Sequence, residues 1–95
     1  MINSTYLIIP ERVAKDQTLT KLDKLVFGKI YGLSKKDKYC WSSNSYLADY
    51  FNVKEWTISR AISSLTEKGY LKISYNSHLK NDKKRKIYIN YNILD

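Results

Sequence analysis

The sequence predicts a small α+β domain in which helices come first and an antiparallel β-hairpin closes the chain. Three observations predict it. Apolar residues recur at helical spacing in segments 20–33, 44–51 and 55–68. Two runs alternate at period two, 70–75 and 85–93, and they flank a polar, basic segment at 76–84. The length of 95 residues suits one compact domain, and one proline with three glycines leaves no linker-like stretch.

Each element follows in order. Residues 1–18 read as an N-terminal arm. Its apolar run Tyr6-Leu7-Ile8-Ile9 is a short strand or an extended segment. Pro10 ends the run and suits a helix start, where its missing N–H is not needed, so 11–15 forms one helical turn. In the first long helix, Leu22, Leu25, Val26, Ile30 and Leu33 share a face, and Thr20 with Asp23 resembles a capping box. Gly28 and Gly32 weaken this helix, and the polar run 34–38 ends it. Tyr39-Cys40-Trp41 reads as a short buried strand with Cys40 in the core. Ser42, Ser43 and Asn44 are good caps for a helix that turns Leu47, Ala48 and Phe51 inward, and Asn52 accepts the left-handed conformation that ends it. Ile58, Ala61, Ile62 and Leu65 form the apolar stripe of the next helix, closed by Gly69. Ile87, Ile89 and Tyr91 mark one face of the second strand.

Charge narrows the function. Seventeen basic against nine acidic side chains give +8, which points to a polyanion: DNA, RNA or an anionic membrane. No apolar stretch approaches the ~20 residues that span a bilayer, and the start has no signal-peptide pattern. A lone Cys40 and a lone His78 exclude an intramolecular disulfide and a Cys/His zinc site. There is no P-loop and no Ser/His/Asp set. The expectation is a cytoplasmic, non-enzymatic protein with no metal, cofactor, small-molecule ligand or membrane partner.

The segment from Leu47 to Leu65, within a helix-turn-helix at 43–68, carries the functional signal. Two short helices separated by about three residues cross steeply, which requires a small residue at their contact. Ala48 supplies it, Val53 plugs the turn, and Ile58 and Ile62 pack from the second helix. This is helix-turn-helix logic, in which the second helix is offered to the major groove. With the hairpin at 70–93 as a wing, the expected architecture is a winged helix-turn-helix: three main helices, a C-terminal β-hairpin wing and a short N-terminal arm.

The run from Ser43 to Val53, then Thr57-Ile58-Ser59-Arg60-Ala61-Ile62, Leu65 and Lys68-Gly69-Tyr70-Leu71 resembles bacterial winged helix-turn-helix domains. Ile9-Pro10 and Trp41-Ser42-Ser43 bring the resemblance nearest to the N-terminal helix-turn-helix domains of phage and plasmid replication initiators. It covers nearly the whole chain, and its motifs specify the fold more closely than they specify replication. Asn52 replaces the usual turn glycine, and Lys54 replaces the usual serine cap, which either loosens the helix start or adds a phosphate contact.

The expected recognition face is Lys54, Trp56, Thr57, Ser59, Arg60, Ser63 and Ser64. Short polar side chains let a helix approach base edges, and Arg60 suits a guanine edge or a phosphate. For Trp56, contact with thymine methyls or sugars stands beside packing under the wing or against a partner chain. Lys80, Lys83, Lys84, Arg85 and Lys86 form the expected basic wing, facing phosphates or the adjacent minor groove. Ser42, Ser43 and Asn44 serve as caps or as a phosphate contact. The expected partner is double-stranded DNA, in replication initiation, with transcriptional regulation as the alternative. Replication proteins and a second copy are further expected partners, the copy docking through Tyr6 to Ile9 or through Ile93 and Leu94. Nine tyrosines, with Tyr46, Tyr50, Tyr70, Tyr75, Tyr88 and Tyr91 as surface candidates, keep stacking on single-stranded bases open, and a protein-docking winged helix is the remaining alternative.

Overall fold

The computed structural model describes residues 7–75 and 85–94. Four helices precede a two-stranded antiparallel hairpin: α1 (Glu11–Ala14), α2 (Lys21–Asp37), α3 (Asn44–Phe51), α4 (Glu55–Glu67), β1 (Leu71–Tyr75) and β2 (Arg85–Ile89). A 3-10 turn follows at Tyr91–Ile93. This is an α+β winged helix-turn-helix.

Local chemistry sets the helix ends. Pro10 caps α1 from outside. Thr20 and Asp23 close the capping box on α2: the Thr20 hydroxyl accepts from the Asp23 N–H, and the Asp23 carboxylate accepts from the Thr20 N–H, both at 3.0 Å. The polar run 34–38 does not stop α2, which continues to Asp37. Ser34 is tolerated in the core because its hydroxyl donates to the Tyr31 carbonyl at 2.9 Å. The helix ends instead at Lys38, in the left-handed conformation at φ 68°. Asn52 takes the same conformation, φ 57°, after α3, and Gly69, φ 87°, follows α4.

The core lies between the helices and one face of the hairpin. Val26, Phe27 and Ile30 of α2 meet Leu47 and Ala48 of α3, Ile58, Ala61, Ile62 and Leu65 of α4, and Leu71, Ile87 and Ile89 of the hairpin. Leu25 departs from the expected stripe and is exposed, while Phe27 takes the inward place. The arm packs at Gly28. A side chain there would stand 3.0 Å from Ile9 Cγ1 and 3.2 Å from Leu7 Cβ, so the glycine that weakens the helix also admits the arm.

The hairpin pairs Leu71 with Ile89 and Tyr75 with Arg85. Residues 39–41 are not a strand in their own right. Cys40 alone bridges to Ile87, exchanging two backbone hydrogen bonds of 2.8 and 2.7 Å. With Cys40 turned inward, period-two geometry turns Trp41 outward, and it is 65% exposed. β2 also stops earlier than expected. Beyond Ile89, Asn90 donates its N–H to the Tyr70 carbonyl at 3.0 Å and its side-chain amide to the Gly69 carbonyl at 2.7 Å, and Tyr91 is exposed.

Candidate nucleic-acid interface

The turn between α3 and α4 spans 52–54. Val53 donates its N–H to the Ala48 carbonyl at 2.9 Å and is half-buried, so the turn is held against α3. Ala48 is buried where the two helices meet. Those contacts fix which side of α4 faces out. Ile58, Ala61, Ile62 and Leu65 are buried, whereas Lys54, Trp56, Ser59, Arg60 and Ser63 are exposed and Thr57 and Ser64 are half-buried. The seven expected recognition residues therefore lie on the outer surface of one helix and at its start. Glu67 is exposed on the same side, one turn beyond Ser63, and places a negative charge at the far end of this face.

Two grooves flank α4. One runs between α4 and the hairpin, lined by Ser59, Ser63, Thr66, Ile73, Tyr75 and Arg85 among others. The other runs between α4 and the start of α2, lined by Thr18, Thr20, Leu22, Trp56, Thr57 and Arg60. Trp56 thus lies on the flank away from β1 and β2 and does not pack under the described part of the hairpin. It is 57% exposed, and the Arg60 guanidinium carbon stands 5.5 Å from its ring centroid. Lys54 precedes α4 without a side-chain cap bond.

The basic wing divides. Lys80, Lys83 and Lys84 lie outside the described residues. Lys86 is half-buried, with its ammonium 4.8 Å from the Tyr39 ring centroid. Arg85 differs from expectation: it is 5% exposed and donates to the Ser42 carbonyl at 3.2 Å and to Asn44 Oδ1 at 2.7 Å. The strand alternation explains this, since Arg85, Ile87 and Ile89 share the inward face. Arg85 therefore ties β2 to the start of α3 and does not present its charge outward.

The same contacts define the cluster at α3. The Ser43 hydroxyl caps the helix by accepting from the Tyr46 N–H at 3.1 Å, and it keeps a proton to donate. Asn44 engages Arg85. Ser42, Ser43 and Tyr46 share a shallow groove with the exposed Trp41, which was not among the expected site residues. The missed signal was the alternation across 39–41, which allows only one inward residue when Cys40 is in the core.

Among the described residues, the tyrosines do not form one array. Tyr70 is buried, with its hydroxyl donating to Asp16 at 2.7 Å. Tyr46 and Tyr50 lie on α3 beneath Lys29, whose ammonium is 3.9 Å from the Tyr50 centroid. Tyr88 contacts Tyr39, and Tyr91 contacts Tyr31.

A family model described as a helix-turn-helix domain matches residues 17–71, more than half of the chain. The chain belongs to this helix-turn-helix family. No curated protein and no solved structure matches it. The matched span of the helix-turn-helix domain contains α2, α3 and α4 and ends where β1 begins. Its partner is DNA, the ligand for which such a helix pair is built. Among the described residues, no helix is long and apolar enough to cross a membrane.

Proposed function

We propose that this domain binds double-stranded DNA with α4 in the major groove, in replication initiation of a phage or plasmid. The observation that carries the groove assignment is the bare outer face of α4, with Trp56, Ser59, Arg60 and Ser63 exposed opposite a buried apolar stripe. In this reading Arg60 contacts base edges, and Thr57, Ser59, Ser63 and Ser64 let the helix approach closely. Lys54 and the Ser42–Ser43 hydroxyls meet phosphates. Lys86 with Lys80, Lys83 and Lys84 of the 76–84 segment meets the backbone beside the groove. The replication role rests on the resemblance carried by Ile9-Pro10 and Trp41-Ser42-Ser43.

The dispersal of the tyrosines favours duplex over single strand, because stacking on successive bases needs rings that line one track. The test is binding to a random duplex and to its matched single strand at two salt concentrations, with wild type, Arg60→Ala and Lys83/Lys84→Ala. Preferred, salt-sensitive duplex binding weakened by both changes is the expected result. Preference for the single strand would overturn the groove assignment. Selection of a target from the source genome then tests the role: recovery of an origin of replication supports initiation, and recovery of promoter operators overturns it in favour of transcriptional regulation.

A further inference from the structure

We propose that Trp56 and Arg60 act as one reading unit that selects a G·C pair with a thymine methyl on the neighbouring base pair. The inference rests on the duplex-binding reading above and names the target step within it. The two residues are one helical turn apart on the outer face of α4, both exposed, with Arg60 Cζ 5.5 Å from the Trp56 ring centroid. That distance lies inside the ~6 Å over which a cation is held by an aromatic face. No carboxylate among the described residues forms an ion pair with Arg60. The ring contact restricts the long side chain but leaves its N–H fork unspent, so less ordering remains to be done on binding.

The fork determines the first base. Guanine alone offers two adjacent acceptors, N7 and O6, on the major-groove edge, and a guanidinium meets both in one plane. The indole determines the second. Base pairs stack at about 3.4 Å, so a ring centred 5.5 Å from a guanidinium that lies in the plane of guanine is within reach of the adjacent pair. The apolar group on the major-groove edge of a base is the thymine C5 methyl. A tryptophan more than half exposed on the outer face of α4 thereby gains a burial partner on binding.

The test begins with selection of the preferred duplex from a randomised library by wild-type protein. Affinities are then measured for the selected site, for the site with the G·C pair replaced, and for the site with deoxyuridine in place of the adjacent thymine. Wild type, Trp56→Ala, Trp56→Phe and Arg60→Lys are compared, with circular dichroism confirming that each folds. The selected site is expected to contain the G–T adjacency. Replacing the G·C pair is expected to weaken wild type about tenfold or more, and loss of the single methyl about fourfold. Trp56→Ala should bind thymine and deoxyuridine sites equally and lose most of its guanine preference, Trp56→Phe should keep that preference, and Arg60→Lys should lose it. A selected site without the adjacency would overturn the proposal. So would a Trp56→Ala variant that binds every sequence more weakly by one common factor. Absence of duplex binding by wild type overturns the underlying reading itself, and this inference with it.

Discussion

Arg85 shows how a single side chain changes role when its strand faces inward. A buried charge is costly unless hydrogen bonds compensate it, and the Ser42 carbonyl and Asn44 Oδ1 do so here. Arg85→Ala should therefore lower stability by about 2 kcal/mol, the usual range for bonds to a charged group, read from urea unfolding. Unchanged stability with lost DNA binding would return Arg85 to the DNA-facing set. A run such as Lys83-Lys84-Arg85-Lys86 invites a solvated reading, yet the period-two pattern through Ile87 and Ile89, extended back by two residues, puts Arg85 on the inner face where the structure has it. What sequence did not contain was the acceptor pair, which comes from 41 and 43 residues earlier in the chain. Lys54 makes the opposite case. Its backbone, φ −80° and ψ 153°, already suits a capping residue, but its side chain makes no cap bond. Lys54→Ser should stabilise the domain by about 1 kcal/mol. If Lys54 meets a phosphate, the same change should flatten the log–log salt dependence of DNA binding by about 0.9. A stabilised variant with an unaltered slope would remove Lys54 from the interface.

Among the elements, α2 separates what patterning can and cannot reveal. Its start was legible because a capping box is local chemistry between Thr20 and Asp23. Its end was not, because Ser34 remains helical by bonding within its own turn and Lys38 accepts a conformation that glycine or asparagine usually takes. Its inner face was partly legible: Val26 and Ile30 are buried as expected, but Leu25 gives way to Phe27, whose ring meets Tyr31 and Tyr70. The two glycines of α2 look alike in sequence and differ in space. Around Gly32 a side chain would meet nothing within 4 Å, whereas at Gly28 it would press on Ile9 and Leu7. Gly32→Ala should gain about 1 kcal/mol from helix propensity. Gly28→Ala should lose stability, because overpacking of the arm typically costs about 1–3 kcal/mol and outweighs the same propensity gain. Thermal denaturation of both variants checks the pair. Equal stabilisation by both would mean that the arm does not rest on α2.

At the scale of the whole molecule, the helix-turn-helix and its outer face were readable because each depends on short-range spacing. The ties that close the domain depend on distant partners and were not. The longest among the described residues is the bond between Tyr70, at the entry to β1, and Asp16, 54 residues earlier. Asp16 accepts from the Thr18 hydroxyl at 2.6 Å, from the Tyr70 hydroxyl at 2.7 Å and from the Thr18 N–H at 2.8 Å. The Thr18 hydroxyl bond, then that of Tyr70, holds its pKa at about 2, below the ordinary carboxylate value of about 3.9. Burial, then the Asp16 carboxylate, pushes the Tyr70 hydroxyl above its usual value. The signs follow from proton uptake. Because the folded carboxylate binds its proton more weakly than the unfolded one, its stabilisation is complete above about pH 4 and is lost as pH falls toward 2. Because the folded phenol holds its proton more tightly, its stabilisation is complete below about pH 10 and is lost at higher pH. Unfolding free energy measured across pH should therefore fall at both ends of this window. Asp16→Asn should flatten the acid limb, and Tyr70→Phe should flatten the alkaline limb and weaken the acid one. An acid limb that persists unchanged in Asp16→Asn would place the acid sensitivity in another carboxylate and leave the tie between the arm and the hairpin as geometry without energetic weight.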